Sequence, residues 1–428
     1  MIILIFNAIL YSISACISLK KYKYTLYTFL WIYFSIYSFL GIIVLYIGVY
    51  EEQVNIYNKQ ISLIPYIINY ICTLILISPL KQVDSKHTIL STSIQLKKLK
   101  PLINILFSIT IIYMMERFYE LVQMSNLSLV ERYAMIAGEG EDVLPSNSPL
   151  IIVRKITGLI YFSSFPIIIS YFINLLIIKK IRFKQCLLYI CICILPYLIM
   201  CISSGGRSEL YLVTLRIFFF ILFFYSFFNK KIQKKIISGF IGILCILAIV
   251  VFSISISRFE NTSGVWESII RYLGETYPNM GYVYWDNVKN HSMGQDSYPF
   301  IYELLSGKKP VNPPTGFFEK YAFWEEYTGV PVLYFKPLFC NYYIKYGTFI
   351  AIILIILIAL IMKKYISRHT YIYLYNIPIL YFYSISCCHS VIGDPFNTKN
   401  LQILLATIIL CSMAKLLQKK KIAIKGMK

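Results

Sequence analysis

Long apolar runs separated by short polar segments make up most of this chain. Runs of about 20 apolar residues can cross a bilayer as helices, because a helix satisfies its own backbone hydrogen bonds. Eleven runs of this kind, bounded by charged residues, lie at 2–19, 24–50, 61–80, 101–122, 151–178, 185–204, 210–228, 236–256, 338–362, 370–388 and 401–416. The pattern predicts an all-α polytopic integral membrane protein in which residues 1–428 form a single membrane domain.

The longest polar interruption covers residues 257–337. It is rich in aromatic residues, among them Trp266, Trp285 and Trp324, and such a composition is not typical of a disordered linker. We therefore expect a large outer loop that contains short helices lying on the membrane face. One of these helices is predicted over the sequence "VWESIIRYLGETY", and prolines separate it from the others.

Composition supports the membrane class. Hydrophobic residues account for 58% of the chain and charged residues for 14%, whereas a soluble domain has about 25% charged residues. The 11 cysteines lie in or at the ends of the predicted spans, so the sequence predicts no disulfide framework. No spacing of Cys, His, Asp or Glu resembles a metal site, and we expect neither a metal nor a cofactor.

The formal net charge of +21 is distributed unevenly. Alternate connections between the spans, with the C-terminal tail, hold 25 of the 41 Lys and Arg residues and a single acidic residue, Asp84. This asymmetry is the positive-inside signature. It predicts an outer N-terminus, a cytoplasmic C-terminus and an outer 257–337 loop, and it accounts for the charge without a nucleic-acid partner. The motif "ISAC" at 13–16 resembles a lipoprotein cleavage site, but lysines follow the apolar run instead of preceding it, which favours an uncleaved span.

A polar turn, "SSGGRSEL", separates the sixth and seventh spans. Gly205 and Gly206 allow backbone conformations that other residues avoid, and Ser208 can cap the following helix. With Arg207 beside the free N–H groups of a helix start, the turn suits a phosphate or diphosphate. The alternative is a plain tight turn in which Arg207 pairs with Glu209.

Arg216 lies two helical turns beyond this turn, inside the seventh span. An arginine within a membrane helix costs about 2.5–3.5 kcal/mol on insertion scales, so it normally faces a polar cavity or partner. Two arrangements remain open from the sequence. Arg216 either extends to the outer interface or supports a polar cavity between the helices.

Further arginines occur at the outer boundary, in the sequence "SISRFENTSGVWESIIRYLGETYPNM". Arg258 is placed where the eighth span ends, while Arg271 and Glu275 are four residues apart and would share a helical face. A simple salt bridge between these two is the alternative to a functional role. Positive charge alone does not require arginine, whereas a diphosphate favours its two-pronged guanidinium.

Candidate proton acceptors are few. His389 and Asp394 lie in "CCHSVIGDPFNTKN", just beyond the tenth span, and His291 lies in the long loop. A histidine or carboxylate at that depth could accept a proton from a sugar hydroxyl. Glu116 and Glu120 share a helical face near the outer end of the fourth span and are weaker base candidates.

This pattern resembles the Wzy-type polysaccharide (O-antigen) polymerases, also called oligosaccharide repeat unit polymerases. The resemblance covers nearly the whole chain: a layout of ten to twelve spans, a long outer loop in the second half and outer arginines. Locally, "SSGGRSEL" resembles the Gly-Arg-Ser turn of that family, "SISRFENTSG" its arginine after a span, and "FKPLFCNYYIKYGTFIAII" its entry to a following span.

The resemblance implies a glycosyltransferase of the bacterial inner membrane with a periplasmic active face. Its partners would be undecaprenyl-diphosphate-linked oligosaccharides as donor and acceptor, membrane lipid, and a chain-length regulator as a further candidate. The diphosphate would be bound by Arg207, Arg258 and Arg271 with Gly205, Gly206 and Ser208, supported by Glu209, Arg216 and His291; the catalytic candidates are His389, Glu275 and Asp394. The alternatives are an O-antigen ligase, a flippase for lipid-linked oligosaccharide and a non-enzymatic scaffold.

Overall fold

A computed structural model describes most of the chain. The described residues are 1–23, 25–48, 61–84, 91–127, 132, 149–204, 208–259, 262–314, 317–332, 334–369 and 371–419. These residues are helical or lie in turns and loops, and none of the described segments is a β-strand. The predicted all-α fold is therefore confirmed for this part of the chain.

Sixteen α-helices are described here in chain order. They are α1 (Ile2–Tyr22), α2 (Leu26–Tyr46), α3 (Ile64–Ile77), α4 (Leu80–Asp84), α5 (Ser93–Gln123), α6 (Pro149–Ile177), α7 (Phe183–Ser204), α8 (Ser208–Phe224), α9 (Lys230–Phe259), α10 (Thr262–Gly274), α11 (Thr276–Asn279), α12 (Pro299–Ser306), α13 (Phe317–Thr328), α14 (Leu338–Ser367), α15 (Ile377–His389) and α16 (Thr398–Lys419). A π-helical turn, Met280–Tyr284, follows α11 directly.

Eight described helices are long and apolar enough to cross a membrane. They are α1, α2, the α3–α4 segment Ile64–Val83, α5, α6, α7, α14 and α16. Two shorter apolar helices, Tyr211–Phe227 and Ile377–His389, coincide with the seventh and tenth predicted spans, and α9 covers the eighth. The structure thus describes a protein with several membrane-length helices, while the count of eleven spans and the sides of the membrane stay predictions.

The chain forms two compact units. Unit 1 contains Met1–Ser85, Phe259–His369 and Ser386–Thr398, and unit 2 contains Lys86–Arg258, Thr370–Ile385 and Lys399–Lys428. Each unit therefore combines early and late segments of the sequence. The prediction of a single membrane domain stays a prediction.

Polar side chains inside unit 1 bind one another across its apolar helices. The Asn69 amide donates to the Tyr11 hydroxyl over 3.1 Å, and Tyr11 lies 3.2 Å from the Thr73 hydroxyl. The Asn7 amide donates to Ser38 over 3.2 Å. These bonds join α1 to α2 and α3, and they satisfy polar groups that lipid could not solvate.

The first helices of the long loop, α10 and α11, pack directly on the apolar helices of unit 1. A Cβ built on Gly274, the last residue of α10, would lie 2.4 Å from the Leu40 carbonyl oxygen of α2. Only glycine permits so close an approach. The Tyr66 hydroxyl of α3 donates to the Tyr277 carbonyl of α11 over 3.0 Å. The segment from α10 to the π-turn is therefore an ordered layer attached to α2 and α3.

Helix α14 has a break near its start. Gly347 has φ 78° and ψ 172°, a left-handed backbone geometry in which a side chain would be strained. The break separates a short leading part, Leu338–Tyr346, from the apolar part that follows. The side chains of the short leading part contribute to the site described below.

Unit 2 is built around α5, α6, α7 and α8, which pack on one another in sequence order. A capping box begins α5: Thr92 accepts from the Gln95 N–H, and the Gln95 side chain accepts from the Thr92 N–H. Prolines Pro166 and Pro196 lie inside α6 and α7. Tyrosines fill the space between these helices, with Tyr113 and Tyr161 stacked at 4.9 Å.

Candidate functional site

The turn between α7 and α8 lies largely outside the described residues. Gly205, Gly206 and Arg207 are not described, and Ser208 and Glu209 form the first turn of α8. Arg258 is the next-to-last residue of α9. For these three helical residues the structure describes the backbone alone. The predicted diphosphate site at this turn therefore stays a prediction.

Arg216 lies inside unit 2, where its guanidinium carbon is 4.2 Å from the centre of the Tyr197 ring. This distance is a cation–π contact, which is favourable where water is scarce. Arg216 thus extends from α8 toward α7 and is packed on an aromatic side chain of the bundle. Of the two arrangements considered from the sequence, this placement favours a partner inside the bundle.

A continuous row of rings connects Arg216 to a second buried arginine. Tyr197 lies 5.1 Å from Tyr161, Tyr161 stacks on Tyr113, and the Arg117 guanidinium lies 4.9 Å from the Tyr113 ring centre. We call Arg117, Tyr113, Tyr161, Tyr197 and Arg216 the arginine–tyrosine ladder. It crosses four helices, α5 to α8, and has an arginine at each end.

Glu120 connects Arg117 to a third arginine. Arg117 Nη1 lies 2.7 Å from Glu120 Oε2, and Arg154 Nη2 lies 3.0 Å from Glu120 Oε1. The Arg117 side chain is 13% exposed and that of Arg154 is 33% exposed. Arg117 Nε is buried without a hydrogen-bond partner among the described residues, so this guanidinium retains a free donor inside the bundle.

Two glutamates lie near Arg117 and the adjoining Arg154. Glu116 accepts a hydrogen bond from Thr157 over 2.8 Å, and Glu120 is shared by two arginines. Arg117, Arg154 and Arg216 against these two glutamates leave one net positive charge. Both glutamates were weak base candidates in the sequence, and the structure gives Glu120 the different role of a shared counter-ion.

The Arg132 side chain donates hydrogen bonds to backbone carbonyls at the C-terminal ends of α5 and α7. Its Nε donates to the Leu127 carbonyl over 2.9 Å, its Nη2 to the Ser125 carbonyl and its Nη1 to the Ile202 carbonyl. These carbonyls lie just beyond the C-terminus of α5 and in the last turn of α7. Helix C-termini carry partial negative charge, which a guanidinium neutralises. Arg132 therefore ties the adjoining ends of α5 and α7 together.

In unit 1 the structure brings the predicted pair Arg271 and Glu275 together. Arg271 Nε lies 3.1 Å from Glu275 Oε2, and the Phe335 N–H donates to Glu275 Oε1 over 3.4 Å. Burial raises the pKa of the Glu275 carboxyl above its usual value, and the Arg271 guanidinium opposes that shift. Glu275 is thus a buried carboxylate that joins the segment before α14 to the end of α10.

Lys336 is a buried cation that the sequence reasoning missed. Its Nζ donates to the Val332 carbonyl over 2.6 Å and to the Tyr334 carbonyl over 3.1 Å, and it lies 4.9 Å from the Tyr284 ring centre. Burial lowers the pKa of this ammonium to about 8. The amine is held by neutral groups, so its charge is poorly compensated.

Asp394, a predicted catalytic residue, forms an ion pair with Lys345. The Lys345 ammonium lies 2.9 Å from Asp394 Oδ2 and 3.5 Å from Asp296 Oδ2, and it donates to the Ser297 hydroxyl over 2.7 Å. We call these four residues the lysine–aspartate cluster. It joins three distant segments: the loop before α12, the leading part of α14 and the loop after α15.

Both carboxylates of the cluster are held by further bonds. Ser292 donates to Asp296 Oδ1 over 2.7 Å, and Ser297 donates to Asp296 Oδ2 over 2.8 Å. The Phe396 N–H donates to Asp394 Oδ1 over 3.0 Å. The two carboxylates and one ammonium leave a net negative charge on a set of groups with fixed orientation.

The two candidate histidines, His291 and His389, both belong to unit 1. His291 Nδ1 is 3.1 Å from the Ile344 carbonyl, which can only accept, so Nδ1 carries the proton in this contact. His389 is the last residue of α15, and its Nε2 would lie 3.5 Å from a Cβ on Gly393. Asp394 follows Gly393 directly, so His389 and Asp394 occupy the same short loop.

Lys345 and Asp296 had only weak signals in the sequence. Lys345 is a lysine within the apolar and aromatic sequence "CNYYIKYGTF", on the side predicted to be poor in lysine. Asp296 looked like an ordinary loop residue. Within the described ranges, no group of three or more His, Cys, Asp or Glu residues is arranged to hold a metal ion.

Comparison with protein-family models, with curated proteins and with solved structures finds no match for this chain.

Proposed function

We propose that this protein is a membrane glycosyltransferase that joins lipid-linked oligosaccharide units at the outer face of the bilayer, in the manner of a polysaccharide polymerase. The donor would be a glycan on a polyisoprenyl diphosphate, the acceptor a second lipid-linked unit, and the released group the polyisoprenyl diphosphate.

The arginine–tyrosine ladder is the observation that supports this proposal most. Guanidinium groups are costly inside apolar helices and normally face a polar partner. Here the guanidiniums of Arg117 and Arg216 rest on tyrosine rings, which stabilise their positive charge. A ligand that combines phosphate groups with an apolar tail suits such a site, because its tail can stay in lipid.

The bond to be broken explains why cations matter. Cleavage of an anomeric carbon–oxygen bond to diphosphate leaves negative charge on the departing phosphate, and preorganised guanidinium groups stabilise that charge. Confinement of both substrates to the bilayer reduces the entropic cost of bringing them together. Arg117 is the ladder residue best suited to this role, since its buried Nε lacks a partner among the described residues.

The acceptor hydroxyl requires a positioned base. Asp394 stays the candidate predicted from the sequence, and Lys345 and the Phe396 N–H hold its two oxygens. His389 lies in the same loop and remains a second candidate. Glu275 is held in the same way by Arg271 and the Phe335 N–H, and it is a third predicted candidate.

The test is polymerisation by the purified protein in vesicles that contain polyisoprenyl-diphosphate-linked repeat units, with products separated on gels. We expect Arg117→Lys to lower the rate about 100-fold, since an ammonium keeps the charge but loses the two-pronged bonding. Arg182→Lys, at the connection between α6 and α7, is the matched control and should polymerise normally. We also expect full activity in EDTA, because the sequence shows no metal-ligand spacing.

Other products would identify other functions. Transfer of the glycan to a different acceptor lipid, without chain growth, would show a ligase. Movement of lipid-linked glycan across the vesicle membrane without bond formation would show a flippase. Normal polymerisation by Arg117→Lys would remove the ladder from the proposed site.

A further inference from the structure

Helix α12 presents an uncovered apolar face. Its residues Phe300, Ile301, Leu304 and Leu305 are 74%, 48%, 71% and 81% exposed. Spaced at i, i+1, i+4 and i+5, they form one side of the helix. Contiguous apolar surface of this kind is unusual on a protein exposed to water and marks a contact with a partner or a membrane.

The N-terminal end of α12 is held next to the start of a membrane-length helix. The Thr398 hydroxyl donates to the Ser297 carbonyl over 2.7 Å, and Thr398 is the first residue of α16. Tyr298 donates to the Phe396 carbonyl, and Lys345 donates to the Ser297 hydroxyl over 2.7 Å. Two of these bonds thus hold the residues preceding α12 beside the start of α16, and the third holds them to the leading part of α14.

The C-terminal end of α12 is also fixed, and it is basic. Gly307 ends the helix in a left-handed conformation, with its N–H bonded to the Glu303 carbonyl over 2.9 Å. Lys308 and Lys309 follow and are exposed. Beyond them, the Val311 N–H donates to Gln295 Oε1 over 2.9 Å. The apolar face is therefore held in place and flanked by two cations.

We propose that α12 is an interfacial helix that lies in the surface of the bilayer, with Phe300, Ile301, Leu304 and Leu305 among the acyl chains and Lys308 and Lys309 bound to anionic lipid headgroups. An apolar face beside lysines is the usual composition of such helices, and lysines near an anionic surface are attracted to it. A stable protein–protein contact takes about 20–30 residues on each side, far more than this helix offers, whereas a bilayer sets no such minimum. The proposal does not depend on glycosyl transfer.

Spin labelling of the full-length protein in lipid nanodiscs tests the proposal. The label is placed at Leu304→Cys or, as the matched control, at Ser306→Cys on the opposite side of α12. Both are made in protein whose exposed cysteines, Cys16, Cys191 and Cys245, are changed to Ser. Collision with oxygen, which concentrates in lipid, is compared with collision with a water-soluble nickel chelate.

We expect the label at position 304 to collide preferentially with oxygen and the label at 306 with nickel. Lys308→Ser with Lys309→Ser should reduce the oxygen preference at 304 in nanodiscs containing phosphatidylglycerol and leave it unchanged in phosphatidylcholine alone. An unchanged preference in both lipids would overturn the anionic-lipid part of the proposal. All changed positions are exposed, so a thermal unfolding midpoint equal to that of the parent verifies folding.

Two results would overturn the membrane location itself. Nickel access at 304 equal to that at 306 would show that the apolar face is in water. A label at 304 that neither reagent reaches, together with cross-linked dimers through that cysteine, would show that a second copy of the chain covers the helix.

Discussion

Lys345 in unit 1 and Arg117 in unit 2 are both largely buried cations, with side chains 11% and 13% exposed. Lys345 is surrounded by oxygen acceptors: two aspartates and a serine hydroxyl lie within 3.5 Å of its nitrogen. Arg117 shares one glutamate with Arg154 and rests on a tyrosine ring. Lys345 thus faces more negative charge than it carries, whereas Arg117 has only a share of one carboxylate.

The difference separates a structural role from a binding role. A cation whose donors are all occupied by groups of its own protein mainly holds segments together, and Lys345 joins segments 49 residues apart in sequence. A cation supported by an aromatic face keeps capacity for an external anion. We therefore expect substitutions in the lysine–aspartate cluster to lower stability first and those in the arginine–tyrosine ladder to lower anion binding first.

The largest expected effect is that of Lys345→Met. It leaves the largely buried Asp394 and the partly exposed Asp296 without their cation, and removing one partner of a buried ion pair costs about 3–5 kcal/mol. The free energy of unfolding, measured by denaturant titration in detergent, checks this value. Lys320→Met, at an exposed position of α13, is the control and should change it little.

A second variant shows whether charge is the cause. Lys345→Met combined with Asp394→Asn should recover part of the lost stability, because removing both partners leaves less uncompensated charge. Equal instability of the single and double variants would point to lost packing and contradict the electrostatic account.

The second expected effect is a pH dependence of stability caused by Lys336. This lysine, unlike Lys345, is held by neutral groups. Burial lowers the pKa of Lys336 to about 8, whereas an unfolded lysine titrates near about 10.4. Between these values the unfolded chain binds a proton that the folded protein has released, so stability rises with pH. Relative to Lys336→Met, the wild-type free energy of unfolding should rise by about 3 kcal/mol across that window.

The measurement is the difference in unfolding free energy between wild type and Lys336→Met at pH 8 and at pH 10.5. Taking the difference cancels the titration of other groups. A constant difference would mean that Lys336 keeps its ordinary proton affinity and that the neighbouring carbonyls compensate its charge fully.

The smallest effect tests the aromatic support in unit 2. Tyr197→Leu removes the ring beneath Arg216, and a cation–π contact contributes about 1 kcal/mol. We expect affinity for a polyisoprenyl diphosphate, measured by ligand-induced thermal stabilisation, to fall about fivefold. Tyr197→Phe retains the ring and should bind normally. Equal weakening by both variants would assign the role to the hydroxyl instead of the ring.

Local features of the site could be predicted from sequence to the extent that they depend on neighbours in the chain. Arg271 and Glu275 are four residues apart, so a helix brings them onto one face, and the structure shows their ion pair. Arg216 was singled out because a charge inside an apolar run is costly wherever that run packs. The structure supplied its partner, Tyr197, from a different helix.

Contacts between residues far apart in the chain could not be predicted from the sequence in this way. Asp296 and Asp394 meet at Lys345 from loops 98 residues apart, and nothing in either loop indicates the other. Arg117 lies near the outer end of the fourth predicted span, but its link to Arg216 requires tyrosines from α6 and α7. Such contacts depend on which helices pack together, which a single sequence does not reveal.

The sequence by itself determined which segments are apolar enough to lie in lipid. That in turn determined that the fold is all-α. An apolar run long enough to cross lipid must satisfy its backbone internally, and a helix is the local way to do so. The tertiary structure alone decided which buried charges are compensated. Charge compensation depends on distances of a few ångströms between residues far apart in the chain, and those distances are set by the packing of whole helices.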